Sequence, residues 1–311
     1  MKIWFIGGGS FAASCLIAMS ACLQFEKIIT GEPTKAGRGL NERVSAVEQA
    51  ALDLRYENFE RTGPLRLNEN LKNAMLANPP DLAFVVDFGQ IIGEPFLNGP
   101  KYGCLNIHPS LLPRWRGAAP VQRAILNGDD VTGVTVFRLV RELDAGPVLA
   151  QVKMPLPIQA DAPEMFQKLA SEGSQIAVQS VKSIIEGSCQ FSEQNSEFAT
   201  YAAKLSKEEA QISWDHDFLS IHNTVRAFAA SSGAFVTVMG KRLKIWRTAP
   251  SETELCAVSA RGAEIGSMFS LPSDGNPVVV CKNGALQLLE VQAEGKRRVS
   301  GAEWFRGIRA T

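Results

Sequence analysis

Histidine is scarce in this sequence, and its cysteines are unpaired. Only three histidines occur in 311 residues, His108, His216 and His222, and they lack metal-ligand spacing. Six cysteines, at 15, 22, 104, 189, 256 and 281, contain no C-x-x-C pair. Zinc sites need clustered thiolate or imidazole ligands, so no metal centre is expected. Scattered thiols fit a reducing, cytoplasmic compartment. Net charge is absent too: 32 Lys+Arg balance 32 Asp+Glu. A partner rich in phosphate must therefore be met by a local patch, not by the whole surface. No apolar run reaches the roughly 18 residues of a membrane span. No G-x-S-x-G nucleophile elbow is present.

The opening, MKIWFIGGGSFAASCLIAMSACLQ, has some likeness to a secretory leader. Its single Lys and the early Gly7–Gly9 break favour a strand over 2–6, a glycine turn and a helix. Gly7-x-Gly9-x-x-Ala12 also satisfies a loose dinucleotide fingerprint, with Glu32 as its acid. A purely steric need for glycine at a strand-to-helix turn explains the same residues. Strands are expected at 3–6, 27–30, 82–86, 104–108 and 134–139, and helices at 71–77, 117–126 and 166–186. Alternation of this kind implies an α/β fold, a doubly wound, mostly parallel Rossmann-like sheet.

After residue 187 the texture changes. Residues 188–205 are polar and unpatterned and read as a linker. Ser206-Lys-Glu-Glu209 is a capping-box pattern. Short β runs follow at 234–239, 243–247, 278–281 and 285–291, with Asn283-Gly284 as a hairpin turn. The expectation is a catalytic domain over 1–187, a linker over 188–205 and a smaller OB-like β-barrel domain over 206–311. Two basic clusters mark that second domain: Lys241, Arg242, Lys244, Arg247, and Lys296, Arg297, Arg298. A solvated barrel face would carry such residues; so would a phosphate-contacting surface.

The chemistry concentrates in LNIHPSLLPRWRGAAPVQRAI, residues 105–125. Strand side chains alternate, so Asn106 and His108 share a face. Pro109 then ends the strand. An amide and an imidazole at the carboxyl end of a parallel strand lie where ligands bind in such sheets. Asp144 follows the next strand and precedes a turn; there it caps the turn or orients an imidazole. The three together would form a general acid/base site with an amide donor for a developing oxyanion. Cys104 lies on the same face but deeper. With no hydrolase nucleophile present, direct attack by a substrate nucleophile is expected.

The 105–125 segment resembles the signature of the folate-dependent formyltransferases. Trp115-Arg116-Gly117-Ala-Ala-Pro-Val-Gln-Arg is similar to the branch that formylates methionyl initiator tRNA. Phe88-Gly89-Gln90-Ile91-Ile92 resembles that family's folate-pocket loop, and Leu143-Asp144-Ala-Gly146 its catalytic aspartate loop. Ala36-Gly37-Arg38-Gly39 resembles an RNA-contacting loop, although Leu40-Asn41-Glu42-Arg43 stands where the family usually shows a lysine pair. Residues 201–214 resemble the entry to the family's C-terminal domain.

The resemblance implies a monomeric cytoplasmic enzyme of protein biosynthesis that uses 10-formyltetrahydrofolate, with no metal and no membrane. It implies catalysis by Asn106, His108 and Asp144. Folate contacts would come from Phe88, Gly89, Gln90, Ile92, Ser110, Leu111, Leu112 and Pro113. The tRNA contacts would come from Lys35, Arg38, Arg43, Lys241, Arg242, Lys244, Lys296, Arg297 and Arg298. The alternative acceptor is a small nucleotide-linked amine, glycinamide ribonucleotide or an amino sugar nucleotide. Enzymes of the purine pathway are essentially the first domain alone, so the extra hundred residues count against that alternative.

Overall fold

The computed structural model describes residues 1–36, 41–238, 240–251, 262–270 and 275–309, with the side chains of 35, 36, 41 and 309 left aside. The chain divides into two units. One comprises residues 1–120, 131–155 and 166–202; the other comprises 121–130, 156–165 and 203–311.

In chain order the first part carries β1 (Ile3–Gly7), α1 (Ser10–Ser20), β2 (Lys27–Gly31), β3 (Thr34–Ala36), β4 (Asn41–Arg43), α2 (Ala46–Asp53), β5 (Phe59–Thr62), α3 (Glu69–Ala77), β6 (Leu82–Val86), α4 (Glu94–Asn98) and β7 (Cys104–His108). Then come β8 (Arg116–Gly117), α5 (Pro120–Asn127), β9 (Val131–Arg138), β10 (Val148–Pro155), α6 (Ala162–Glu186) and β11 (Tyr201–Ala202). The main sheet runs β10-β9-β7-β6-β1-β2-β5. Strands β7 through β5 in that order are mutually parallel, β9 is antiparallel to β7, and β10 is antiparallel to β9. Central strands β1 and β6 are buried along their whole length, as a sheet covered on both faces requires. Short polar caps start α2 and α3: Ser45 accepts the Glu48 N–H, and Asn68 accepts the Leu71 N–H.

Three elements differ from expectation. Residues 59–62 form an edge strand on β2. Residues 148–155 form the antiparallel edge β10, whose alternating half-exposed pattern marks one solvent face. The helix expected from 117 starts at Pro120, because Arg116 and Gly117 are drawn into a parallel ladder with Tyr201 and Ala202. That ladder places residues 188–202, expected as a linker, inside the first unit.

The second unit carries α7 (Phe218–Phe228), β12 (Ala234–Val238), β13 (Lys241–Pro250), β14 (Met268–Ser270), β15 (Pro277–Cys281), β16 (Gly284–Ala293), β17 (Val299–Ser300) and α8 (Gly301–Arg309). Its antiparallel sheet runs β12-β13-β16-β15-β14, with β17 on β16. Among the described residues its two edge strands do not pair with each other. Asn283 takes φ +60° in the β15–β16 turn, which suits the Asn-Gly pair. The core packs Ile221 and Val225 of α7 against Leu243, Ile245, Leu286, Leu288 and Val291. Buried His222 and Arg226 fasten 157–160 to α7 through the carbonyls of Ile158, Pro157 and Ala160.

Candidate active site

The first unit's strand order reverses between β1 and β6, the topological switch where open α/β sheets bind ligands. The glycine turn sits there, and the chain itself fills it. The Gly8 and Gly9 N–H groups donate to the Asp87 carbonyl at 3.2 and 3.1 Å. The Asp87 carboxylate accepts the Phe11 and Ala12 N–H groups at the start of α1. A Cβ on Gly9 would lie 1.7 Å from Asp87 Oδ2. The place a pyrophosphate would take at this helix N-terminus holds an aspartate, so the glycines serve close packing.

The polar constellation lies two strands away. On β7, Asn106 registers with Phe137 and His108 with Thr135. His108 Nε2 lies 2.8 Å from the Trp115 carbonyl oxygen. A carbonyl only accepts, so Nε2 carries the proton. His108 Nδ1 faces Asp144 Oδ2 at 3.8 Å, too long for a direct hydrogen bond. Both side chains are nearly covered, at 7% and 11% exposure. The other anchor of Asp144 Oδ2 is the Gly117 N–H at 2.8 Å. Asn106 Oδ1 is buried with no partner among the described residues. Such an acceptor costs stability unless something donates to it.

Thus the structure brings the three expected catalytic residues onto one site. The arrangement leaves one imidazole nitrogen fixed and one open, beside a carboxylate and an unsatisfied amide. It can move a proton and hold a polar group; it offers no covalent nucleophile. The Cys104 thiol donates to the Phe96 carbonyl at 2.9 Å, and burial pushes its pKa up to about 12.

The expected folate contacts separate into two groups. Phe88 and Ile92 pack with Leu139 against the cluster that includes Phe96 and Cys104. Between them Ile91 is 76% exposed, and Leu143 in the Asp144 loop is 63% exposed. These two loops therefore present uncovered apolar side chains. Gln90 is partly committed: its Oε1 accepts the Leu65 N–H at 2.7 Å. Gly89 takes φ +65°, which lets the loop turn. Ser110 and Leu112 face inward. Ser110 Oγ donates to the Arg114 carbonyl, the Leu112 N–H donates to Thr135 Oγ1, and Leu112 is joined to Pro113 by a cis peptide. Leu111 covers Gly133, where an added Cβ would meet its Cδ2 at 2.4 Å. A cavity of about 390 Å³, lined by residues including Leu97, Tyr102, Arg138, Leu139 and Arg141, includes none of the expected contacts in its lining.

Of the expected tRNA contacts, Arg38 lies outside the described residues, as does the Lys35 side chain. Arg43 is exposed on the β3–β4 hairpin, where it registers with Thr34. The second unit joins the two basic clusters. The Arg242 guanidinium stacks on Phe235 at 4.0 Å; Arg298 and Lys244 lie over Trp246 at 3.3 and 5.5 Å. Lys241 starts the same strand, and the Lys296 carbonyl accepts from Gln292, which also holds Trp246 Nε1. Arg297 reaches Glu303 at 3.4 Å.

Sequence reasoning missed Gln194 and Thr200, which bond the loops around His108 and Asp144. Their polar surroundings gave no signal, because the bonds span 48 to 85 residues.

Comparison with known proteins places this architecture. Residues 1–181 match the family model "Formyl transferase", and 204–309 match "Formyl transferase, C-terminal domain". The methionyl-tRNA formyltransferase of Aromatoleum aromaticum is 36% identical over 99% of this chain and 94% of its own length. That of Paracoccus denitrificans is 34% identical over 99% and 98%. The sugar 3N-formyl transferase WlaRD superposes with a TM-score of 0.63 at 19% identity, covering 96% of this chain and 99% of its own. HypX from Aquifex aeolicus, solved with tetrahydrofolic acid, superposes at 0.64 and 18% over 98% of this chain and 47% of its own. By both domain matches and by relatives above 30% identity along nearly its whole length, the chain belongs to the formyl transferase family.

Proposed function

We propose that this chain transfers the formyl group of 10-formyltetrahydrofolate to the α-amine of methionyl initiator tRNA. The observation that carries the reading is the His108 imidazole, held at Nε2 by Trp115 and facing Asp144 at Nδ1, on the same strand face as the unpaired Asn106 amide. The full-length kinship with methionyl-tRNA formyltransferases selects the acceptor.

The folate supplies the formyl carbon and, at N10, the leaving nitrogen. Phe88, Ile91, Ile92, Leu139 and Leu143 provide the apolar wall for its ring. Asn106 donates from Nδ2 to the formyl oxygen as it gains charge, and Oδ1 accepts an N–H of the incoming amine. A donor of this kind is worth roughly 10²–10³ in rate. An α-amine titrates near about 8, so a usable fraction is neutral at pH 7. His108 Nδ1 takes the amine proton as the C–N bond forms and returns it to the departing nitrogen. Asp144 stands 3.8 Å away and compensates the imidazolium charge while it exists.

The second unit supplies the tRNA surface. Arg242, Lys244 and Arg298 stack on Phe235 and Trp246, a basic and aromatic face suited to phosphate and base contacts without sequence readout. Lys241, Lys296 and Arg297 are exposed on the same unit; Arg43, with Lys35 and Arg38, is the proposed contribution of the first unit. We assign the protein to the cytoplasm as a monomer; no described helix is long and apolar enough to cross a membrane.

The test is acceptor choice. Purified protein and 10-formyltetrahydrofolate are offered initiator Met-tRNA, glycinamide ribonucleotide, an amino sugar nucleotide, or buffer alone. Formylation confined to Met-tRNA supports the reading; formylation of a small amine in its place overturns the acceptor assignment.

A further inference from the structure

We propose that Gln194 is a positioning residue for formyl transfer: its one amide ties the loop that fixes His108 to the loop that carries Asp144. The inference rests on the catalytic roles proposed above for those two residues.

All four hydrogen-bonding positions of this amide are used. Gln194 Oε1 accepts from Arg116 Nε at 3.1 Å and from Arg116 Nη2 at 2.8 Å. Its Nε2 donates to the Asp144 carbonyl at 2.9 Å and to the Gly146 carbonyl at 2.7 Å. Arg116 is buried and stands between the two groups that define the site's geometry. On one side is the Trp115 carbonyl, which holds His108 Nε2. On the other is the Gly117 N–H, which holds Asp144 Oδ2.

Both loops need such a restraint. Trp115, Gly117 and Asp144 take φ of +62°, +115° and +48°. Side-chain-bearing residues persist in that region only where their surroundings over-determine them. The Gly117 N–H joins the two loops directly at Asp144 Oδ2, while two further fastenings act on one loop each. Thr200 accepts the Trp115 N–H at its Oγ1 and the Arg116 N–H at its carbonyl. Ser192 exchanges two backbone bonds with Val148, beyond the Asp144 turn. Unlike Thr200 and Ser192, Gln194 reaches both loops, and it braces the direct Gly117–Asp144 bond from the side. Neither a carboxylate nor an alkyl chain could replace it. Glutamate accepts from Arg116 but has nothing to donate to two carbonyls, and methionine keeps the length with neither function.

The test uses the full-length protein and the variants Gln194→Ala, Gln194→Met and Gln194→Glu. Two readouts separate positioning from bulk stability. The first is kcat against KM for formyl transfer. Displacing a catalytic group by about 1 Å costs on the order of 10²-fold, so kcat should fall roughly 10- to 100-fold while both KM values stay within about 3-fold. The second is ¹⁵N NMR of the three histidines without substrates. In the wild type His108 is an Nε2–H tautomer; in each variant its signals should move toward a mixture. His222, pinned at Ile158 and Thr248, should not move and serves as the internal control. If Gln194→Ala does not fold, Gln194→Met preserves the packing and carries the same prediction. Unchanged His108 signals with unchanged kcat per folded molecule would overturn the proposal, even if the melting temperature drops. A wild type that formylates no amine would refute the functional reading, while the substrate-free His108 signal would still decide the clamp.

Discussion

Replacing Gly117 with alanine probes the site through its backbone. Gly117 has φ +115°, and an added Cβ would lie 2.9 Å from the Ala202 carbonyl oxygen and 3.4 Å from its carbon. The obstacle is backbone in a parallel ladder, so it cannot swing aside. Holding a side-chain-bearing residue in that conformation costs about 1–3 kcal/mol. Relief by moving β8 away from β11 carries off the Gly117 N–H that holds Asp144 Oδ2 at 2.8 Å. A bond to a carboxylate is worth about 1.5–3 kcal/mol. A net loss of about 3 kcal/mol lowers the melting temperature by roughly 6–12 °C in a unit of this size. The larger effect falls on chemistry: Asp144 leaves its place beside His108, and kcat drops on the order of 10²-fold. Gly187→Ala is the matched control. It too has positive φ, +69°, but nothing lies within 4 Å of its added Cβ. It should lose on the order of 1 kcal/mol and keep its activity. Single-turnover formylation at saturating donor, with melting curves, reads both. Wild-type kcat in Gly117→Ala, or an equal loss in Gly187→Ala, would refute the reasoning.

Cys104→Ala should retain formyl transfer within a few fold, since the thiol is buried, bonded to Phe96 and pushed up to about 12; abolished turnover would restore a chemical role for it. His222 gives an acid-sensitive term in stability. Burial, and secondarily the charge of Arg226, lowers its pKa from 6.5 to about 4. The unfolded chain therefore binds the extra proton first. About 3 kcal/mol is fully present above pH 6.5 and is lost as pH falls toward 4. Denaturant melts of wild type and His222→Leu across that window should converge toward acid; parallel curves would argue against the assignment. Changing Arg242, Lys244 and Arg298 together to glutamine should weaken Met-tRNA binding and flatten its salt dependence by roughly 0.7–0.9 in log–log slope for each phosphate contact removed. The KM for folate should not change. An unchanged salt slope would move the tRNA surface elsewhere.

The parts of the fold set by local pattern were legible from the chain. β6 and β7 follow from short apolar runs, and Asn106 and His108 share a face because strands alternate and Pro109 stops the strand. Strand β10 was missed because VLAQVKMP follows a turn-rich loop and half of it faces solvent. Strand β5, rich in charge, is an edge that burial does not demand. The basic clusters could be named but not joined. Only the antiparallel register, with Phe235 opposite Lys244, and the return of Arg298 over Trp246 make them one surface. Ser110 and Leu112 were expected on a folate wall, yet their polar groups are spent on Arg114 and Thr135. The strap over 192–202 was least visible. Its work is done by one amide, one hydroxyl, the Ser192 backbone pair and a two-residue ladder, none of which leaves a periodic trace.

The measurement that bears most directly on this account is single-turnover formyl transfer from 10-formyltetrahydrofolate to initiator Met-tRNA by the wild type and His108→Ala. The account predicts formyl-Met-tRNA from the wild type and a loss of at least about 10²-fold in the variant, with Met-tRNA binding retained. Equal rates in the two proteins would contradict it.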